Sequence, residues 1–199
     1  IKEYFANYYL HMSDVTFSMK GNSVEVRQSN VEPWTVTLVD TGESSLTGGR
    51  LKRVYEYIKN EDAFCFTYGD GVGDVNITKL IEFHKSHGKL ATLTATRPPG
   101  RYGALKIMSN GVVDSFQEKP DGDGSWINGG YFVLSPKVIE RITDDSTSWE
   151  GEPLMDLASE NELVAFKHDG YWQPMDTLRE KNILNDLWSN KKAPWKVWD

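Results

Sequence analysis

The feature that most constrains this chain is an alternation of two periods. Short apolar runs rich in β-branched and aromatic residues, WTVTLVD (34–40), AFCFTYGD (63–70), LATLTAT (90–96) and ELVAFKH (162–168), alternate with stretches of helical period. Those stretches are RLKRVYEYIK (50–59), VNITKLIEFHKSHG (75–88) and TLREKNILNDLWSN (177–190). A strand followed by a helix cannot pair with the next strand through a tight hairpin; the helix crosses over and returns the chain parallel. Two hairpins modify this plan. Lys20-Gly21-Asn22 joins VTFSM (15–19) to SVEVR (23–27), and Asn110-Gly111 joins ALKIM (104–108) to VVDSFQEKP (112–120). WINGGYFVLS (126–135) adds another strand, with helices expected near 136–142 and 152–161. The expected fold is α/β, a mixed, mainly parallel central sheet flanked by helices, in one domain over residues 1–199.

The start of the chain is informative. Ile1, Phe5, Tyr8 and Tyr9 recur at helical spacing over residues 1–12, with no initiating Met and no capping residue ahead of them. The chain is therefore expected to be a portion of a longer sequence, incomplete at its N-terminus. A formal net charge of -7 argues against nucleic acid or an anionic membrane as partner. No run reaches membrane-spanning length, and IKEYFANYYL lacks the pattern of a signal peptide. The single cysteine, Cys65, excludes a disulfide within one chain and reads as a small buried hydrophobe in a reducing, cytoplasmic setting.

In sheets of this kind ligands sit beyond the carboxyl ends of the strands, so the loops at 41–50, 69–74, 97–103 and 118–130 are where chemistry is expected. In Tyr68-Gly69-Asp70-Gly71 a carboxylate stands just past a strand end, either reaching a hard cation or capping a turn. Asp176 directly precedes a helix, as its N-cap or as a second metal carboxylate; Thr177 could supply the cap equally well. Lys119, pinned by Pro120, is either a point charge for a phosphate or a solvated edge lysine. Asn128, ahead of Gly129-Gly130, either bonds a polyhydroxylated ligand or satisfies a local turn. Two glycine-rich loops, Thr47-Gly48-Gly49-Arg50 and Pro98 to Gly103, offer backbone N–H groups or ordinary helix entry. His11, His84, His87 and His168 have no metal-ligand spacing; the i, i+3 pair His84 and His87 is expected in packing or surface roles.

Taken in order, Gly69-Asp70, Tyr102-Gly103, Glu118-Lys119-Pro120, Asn128-Gly129-Gly130 and Trp172 with Asp176 resemble the sugar-1-phosphate nucleotidyltransferases. The segments DTGESSLTGGRLKRV, FTYGDGV, PPGRYGAL, FQEKPDGDGSWINGGYFVL, EPLMDLA and GYWQPMDTLREK are similar to the branch of that family that uses CTP and glucose 1-phosphate, over essentially all 199 residues. The resemblance implies a Rossmann-like fold and a reaction that yields CDP-glucose and pyrophosphate with Mg2+. It implies that Asp70 and Asp176 bind the metal, that Lys119 contacts the sugar phosphate and Glu118 the sugar hydroxyls. Gly103, Asn128 and Gly129 would line the sugar, and Gly49 and Arg50 would lie beside the nucleotide base. It further implies a cytoplasmic homo-oligomer. Trp188, Trp195 and Trp198 would then pack on a neighbouring subunit, or fold back on their own chain.

One part of the family pattern is missing. The glycine-rich G-G-x-G-T-R-L signature and its following lysine, which bind the triphosphate, do not occur in these 199 residues. If they were the whole polypeptide, little nucleotidyl transfer would be expected, because a single electrostatic donor to a leaving group is worth about 3–4 kcal/mol. Other readings are a pyrophosphorylase using UTP or dTTP, or an inactive binding or assembly homologue. A metal-dependent glycosyltransferase would carry D-x-D, whereas the next acid after Asp70 is Asp74.

Overall fold

A computed structural model describes residues 1–98, 104–117 and 126–198, in two compact units, 1–40 and 41–199. In the first unit the expected N-terminal helix is two short ones, α1 (Lys2–Ala6) and α2 (Tyr8–His11), broken where Asn7 leaves helical geometry at φ -106° and ψ 6°. The expected hairpin forms from β1 (Ser13–Ser18) and β2 (Ser23–Ser29), with Val15 opposite Val26 and Phe17 opposite Val24. The run WTVTLVD, expected as a buried strand, is not one. It has no ladder partner among the described residues, and Trp34 is 63% exposed. β-propensity fits a residue to a sheet but cannot supply a neighbour for its N–H and C=O groups. Trp34 stacks on Tyr8 instead, with ring centres 6.2 Å apart.

The second unit begins with α3 (Thr47–Arg53) and α4 (Tyr55–Ile58), followed by β3 (Phe64–Thr67), β4 (Gly71–Gly73) and α5 (Ile77–His87). Next come β5 (Ala91–Thr96), the hairpin β6 (Ala104–Ile107) with β7 (Val113–Gln117), β8 (Ile127–Leu134) and a 3-10 turn at Pro136–Arg141. The chain closes with α6 (Glu152–Ser159), β9 (Leu163–His168), β10 (Trp172–Pro174) and α7 (Leu178–Ser189). The central sheet has the order β3-β8-β5-β9. β8 is antiparallel to both β3 and β5, and β9 is parallel to β5. Three strands thus point the same way and β8 runs back between two of them, which makes the sheet mixed as expected.

The period of two in β8 supplies both faces. Phe132 and Leu134 pack with Leu51, Ile139, Trp149 and Leu157 beneath α3, the 3-10 turn and α6. Val133 faces the other way, onto Leu80 of α5 and Val75. Helices therefore cover both sides of the sheet. Cys65 corrects one expectation: it is exposed rather than buried. It alternates with the core-facing Phe64 and Phe66, and its strand lies at one end of the four-strand order, so nothing described covers that face. Trp195 folds back onto Tyr171 at 5.6 Å, while Trp188 and Trp198 lie together at 6.5 Å and remain about half exposed.

Candidate active site

β3 delivers Asp70. Beyond Thr67 the chain bends through Gly69-Asp70 and resumes at once as β4. β4 pairs antiparallel with β10, Gly71 opposite Pro174 and Gly73 opposite Trp172. The short ladder continues into the bend, where the Met175 N–H donates to the Asp70 carbonyl at 2.7 Å. Two carboxylates remote in sequence are thereby brought together: Asp70 and Asp176 line one cavity of about 200 Å³ with Tyr68, Asn128, Gly129 and Trp172.

Asp176 is not needed to cap the helix behind it. The Thr177 hydroxyl accepts the Glu180 N–H at 3.2 Å, and the Glu180 carboxylate accepts the Thr177 N–H at 3.0 Å, a reciprocal capping box on α7. The ambiguity left by sequence is resolved in favour of Thr177 as the cap. Asp74 lines neither this cavity nor its neighbour; its Oδ1 lies 3.1 Å from His168 Nε2.

The opposite wall comes from β8. Asn128 accepts the Gly130 N–H through Oδ1 at 2.8 Å and donates through Nδ2 to the Tyr68 phenol oxygen at 3.2 Å. Gly130 holds φ +78°, and a Cβ there would come within 2.7 Å of the Tyr68 ring. The Trp172 indole N–H donates to the Gly129 carbonyl at 2.8 Å, and the Tyr131 hydroxyl donates to the Gly71 carbonyl at 3.1 Å. Strands β4, β8 and β10 are thus cross-tied around the two carboxylates. A Cβ at Gly69 would meet nothing within 4 Å, which leaves the approach to Asp70 open.

A second, larger cavity of about 670 Å³ shares Tyr68, Asp70 and Asn128 with the first and extends to Thr41, Arg50 and Glu150. The Arg50 guanidinium donates to the Thr41 hydroxyl at 2.7 Å and to the Glu43 carbonyl at 3.1 Å, both neutral oxygens. Gly49 does not line either cavity. Its α-carbon lies against the backbone of Asp145, where a Cβ would come within 2.5 Å, and Arg53 pairs with the Asp145 carboxylate. Gly49 therefore lets α3 dock closely and sets where Arg50 begins.

Among the described residues there is no group of three or more His, Cys, Asp or Glu that could hold a metal. Two carboxylates on one cavity suit a hard cation whose remaining positions go to phosphate oxygens and water, and Mg2+ is held in this way. Asp70 and Asp176 are the residues that fit it. Glu150 is pushed up by burial, but donation from the hydroxyls of Ser148, Thr47 and Tyr68 outweighs that and holds its carboxyl below the usual range. The Tyr68 phenol is shifted the other way, raised by burial and by its bond to Glu150.

Of the residues singled out by sequence, Asp70, Asp176, Asn128 and Gly129 share one cavity, and Arg50 lines its neighbour. Gly103, Glu118 and Lys119 lie outside the described residues. Sequence reasoning did not single out Glu150, and it gave Thr47 and Trp172 no role of their own in the site. Trp172 and Thr47 belong to segments that carry the resemblance, whereas an acid before Gly151 gives no signal of its own.

The sheet and its strand-end cavity set the class. A family model described as Nucleotidyl transferase matches residues 26–179, and the chain belongs to that family. Within it, the chain is 66% identical over all 199 residues to the glucose-1-phosphate cytidylyltransferases of Salmonella typhi and Salmonella typhimurium, and spans 77% of each. Among solved structures it resembles HddC from Yersinia pseudotuberculosis, with a TM-score of 0.52 and 26% identity. That match covers 73% of this chain and 64% of HddC.

Proposed function

We propose that the protein is an enzyme that joins CTP and glucose 1-phosphate into CDP-glucose and releases pyrophosphate. An oxygen of the sugar phosphate forms a bond to the α-phosphorus of CTP as the bond from that phosphorus to the β-phosphate bridge breaks. The sugar phosphate is already ionised near neutral pH, so no residue has to remove a proton from it. Catalysis then rests on positioning and on offsetting negative charge. Asp70 and Asp176 would hold Mg2+, which would supply charge neutralisation to the phosphates.

The chain's own residues position the reactants. Asn128 and Gly129 form the sugar wall, with Gly103 and Glu118 assigned to the same wall by resemblance. Arg50, steadied by Thr41 and Glu43, carries a cation into the nucleotide-side cavity, and Gly49 supports it from behind. Lys119 is assigned to the sugar phosphate, where a fixed cation offsets the nucleophile's repulsion from the triphosphate. The same reading makes the protein a cytoplasmic homo-oligomer with small-molecule substrates. No helix among the described residues is long and apolar enough to cross a membrane.

The observation that carries the proposal is the convergence of Asp70 and Asp176 beside Asn128-Gly129. Its test is nucleotide-sugar formation by the encoded protein, with glucose 1-phosphate and CTP, UTP or dTTP in turn. CTP is expected to be preferred by about tenfold or more, a difference of about 1.4 kcal/mol. Preference for UTP or dTTP would replace the cytidylyl reading, and binding of CDP-glucose without turnover would mark a binding homologue.

A further inference from the structure

The ladder that brings Asp70 to Asp176 is separate from the central sheet. Among the described residues β4 and β10 pair with each other, while β3, β8, β5 and β9 form the sheet. Side chains join the two. Trp172 reaches the Gly129 carbonyl of β8, and Tyr131 of β8 reaches the Gly71 carbonyl of β4. A further tie comes from the other side, from His168 at the end of β9.

His168 is largely enclosed, with 10% of its side chain exposed. Its Nε2 lies 3.2 Å from the Tyr171 carbonyl and 3.1 Å from Asp74 Oδ1. A carbonyl only accepts, so Nε2 must carry a proton and donate it to Tyr171. The same carbonyl accepts the Asp74 N–H at 3.1 Å. The end of β9, the residue after β4 and the residue before β10 therefore meet at one oxygen. Gly170 permits that approach, because a Cβ there would collide with Asp74 Oδ1 and with the His168 ring. Fixing Tyr171 fixes where β10 starts, and Asp176 stands just past its other end.

We propose that His168 is a positioning residue: by clasping the Tyr171 carbonyl it anchors β10 to the central sheet and so sets where Asp176 stands relative to Asp70. The importance of that spacing for the reaction rests on the function proposed above. His168 lines neither of the cavities that Asp70 lines, and it acts only through the strand.

His168→Ala removes the donor, and His168→Gln supplies an amide N–H in its place. Without ligand or metal, the Trp172 indole N–H is read by NMR, with Trp172→Phe assigning the signal. In His168→Ala that signal is expected to shift and lose protection from solvent exchange, because β10 is no longer held at its start. In turnover, the Mg2+ concentration that gives half the maximal rate is expected to rise about tenfold, the size of one lost hydrogen bond. His168→Gln is expected to bring it back to within about twofold of the unsubstituted protein and to restore the signal. Gly170→Ala pushes Asp74 and His168 apart and is expected to reproduce both changes; it carries the test if His168→Ala does not fold. His84→Gln removes a buried histidine that bonds Thr92 instead, and is expected to produce neither change. A Trp172 signal unchanged in His168→Ala and Gly170→Ala overturns the proposal. So does a Mg2+ requirement raised equally by His84→Gln, or a His168→Gln that behaves as His168→Ala does. If the unsubstituted protein forms no nucleotide sugar, the reading of the function fails, while the Trp172 signal still decides the role of His168.

Discussion

At Gly130 the backbone adopts φ +78° against the Tyr68 ring, so any side chain there meets both strain and a clash. Gly130→Ala is expected to cost about 1–3 kcal/mol in chemical denaturation and to weaken sugar-phosphate binding, because the ring that orders Asn128 must move. Neutralising a carboxylate is a different kind of change. Asp70→Asn and Asp176→Asn are each expected to lower kcat/KM for CDP-glucose formation by about a hundredfold or more, as loss of one well-placed electrostatic group does. The cap assignment separates Asp176 from its neighbour. Asp176→Asn should leave stability within about 0.5 kcal/mol, whereas Thr177→Ala should cost about 1 kcal/mol by removing the hydroxyl that caps α7. Thermal denaturation of the two variants side by side checks this.

At the scale of elements, α5 and β5 share a polar knot under the sheet. His84 Nδ1 and His87 Nε2 each lie 2.8 Å from the Thr92 hydroxyl, which is fully buried. One hydroxyl has one proton, so it donates to one imidazole and accepts from the other. Burial pushes both histidines below their usual range; each imidazole is lowered further by a cationic neighbour, His87 for His84 and Lys89 for His87, with Glu162 opposing at His87. Since the folded-state pKa lies below the unfolded value of about 6.5, the stability this knot provides is complete above that pH. It is lost as pH falls from about 6.5 through the lower folded values. Urea midpoints are expected to drop between neutral pH and mildly acid pH, and His84→Gln should flatten that slope; a slope unchanged by the substitution would contradict the account.

The same scale explains what sequence could reveal. The two hairpins were legible because their turns are local, and Gly111 adopts the expected positive φ of +83°. The strand ending at Asp70, the helix after Asp176 and the alternation in β8 were legible for the same reason. The pairing of β4 with β10 was not, because three-residue strands far apart in the chain carry no periodic signal. That ladder is what brings Asp70 to Asp176, so the candidates could be named singly but joined only through resemblance. Trp34 and Cys65 show the reverse failure. Their local patterns read as buried, and burial depends on neighbours that local pattern does not specify.

For the whole molecule, the two-sided core of the second unit holds the strand ends in register. Trp149 is fully buried, packed edge-on against Phe66 and Phe132, and it also donates its backbone N–H to Thr47 beside the cavity. Trp149→Ala should cost about 3–5 kcal/mol in denaturation and blunt substrate affinity together with stability. A defect that appears in both measurements distinguishes this core residue from Asp176, whose substitution should leave stability unchanged.

The central claim is that Asp70 and Asp176 hold a divalent cation between the protein and a nucleotide-sugar phosphate. Calorimetric titration of CDP-glucose, with Mg2+ and with EDTA, tests it most directly. The affinity is expected to fall about tenfold or more when the metal is removed, and Asp70→Asn or Asp176→Asn in Mg2+ should match the metal-free protein. Equal affinity with and without metal, unchanged in both variants, would contradict it.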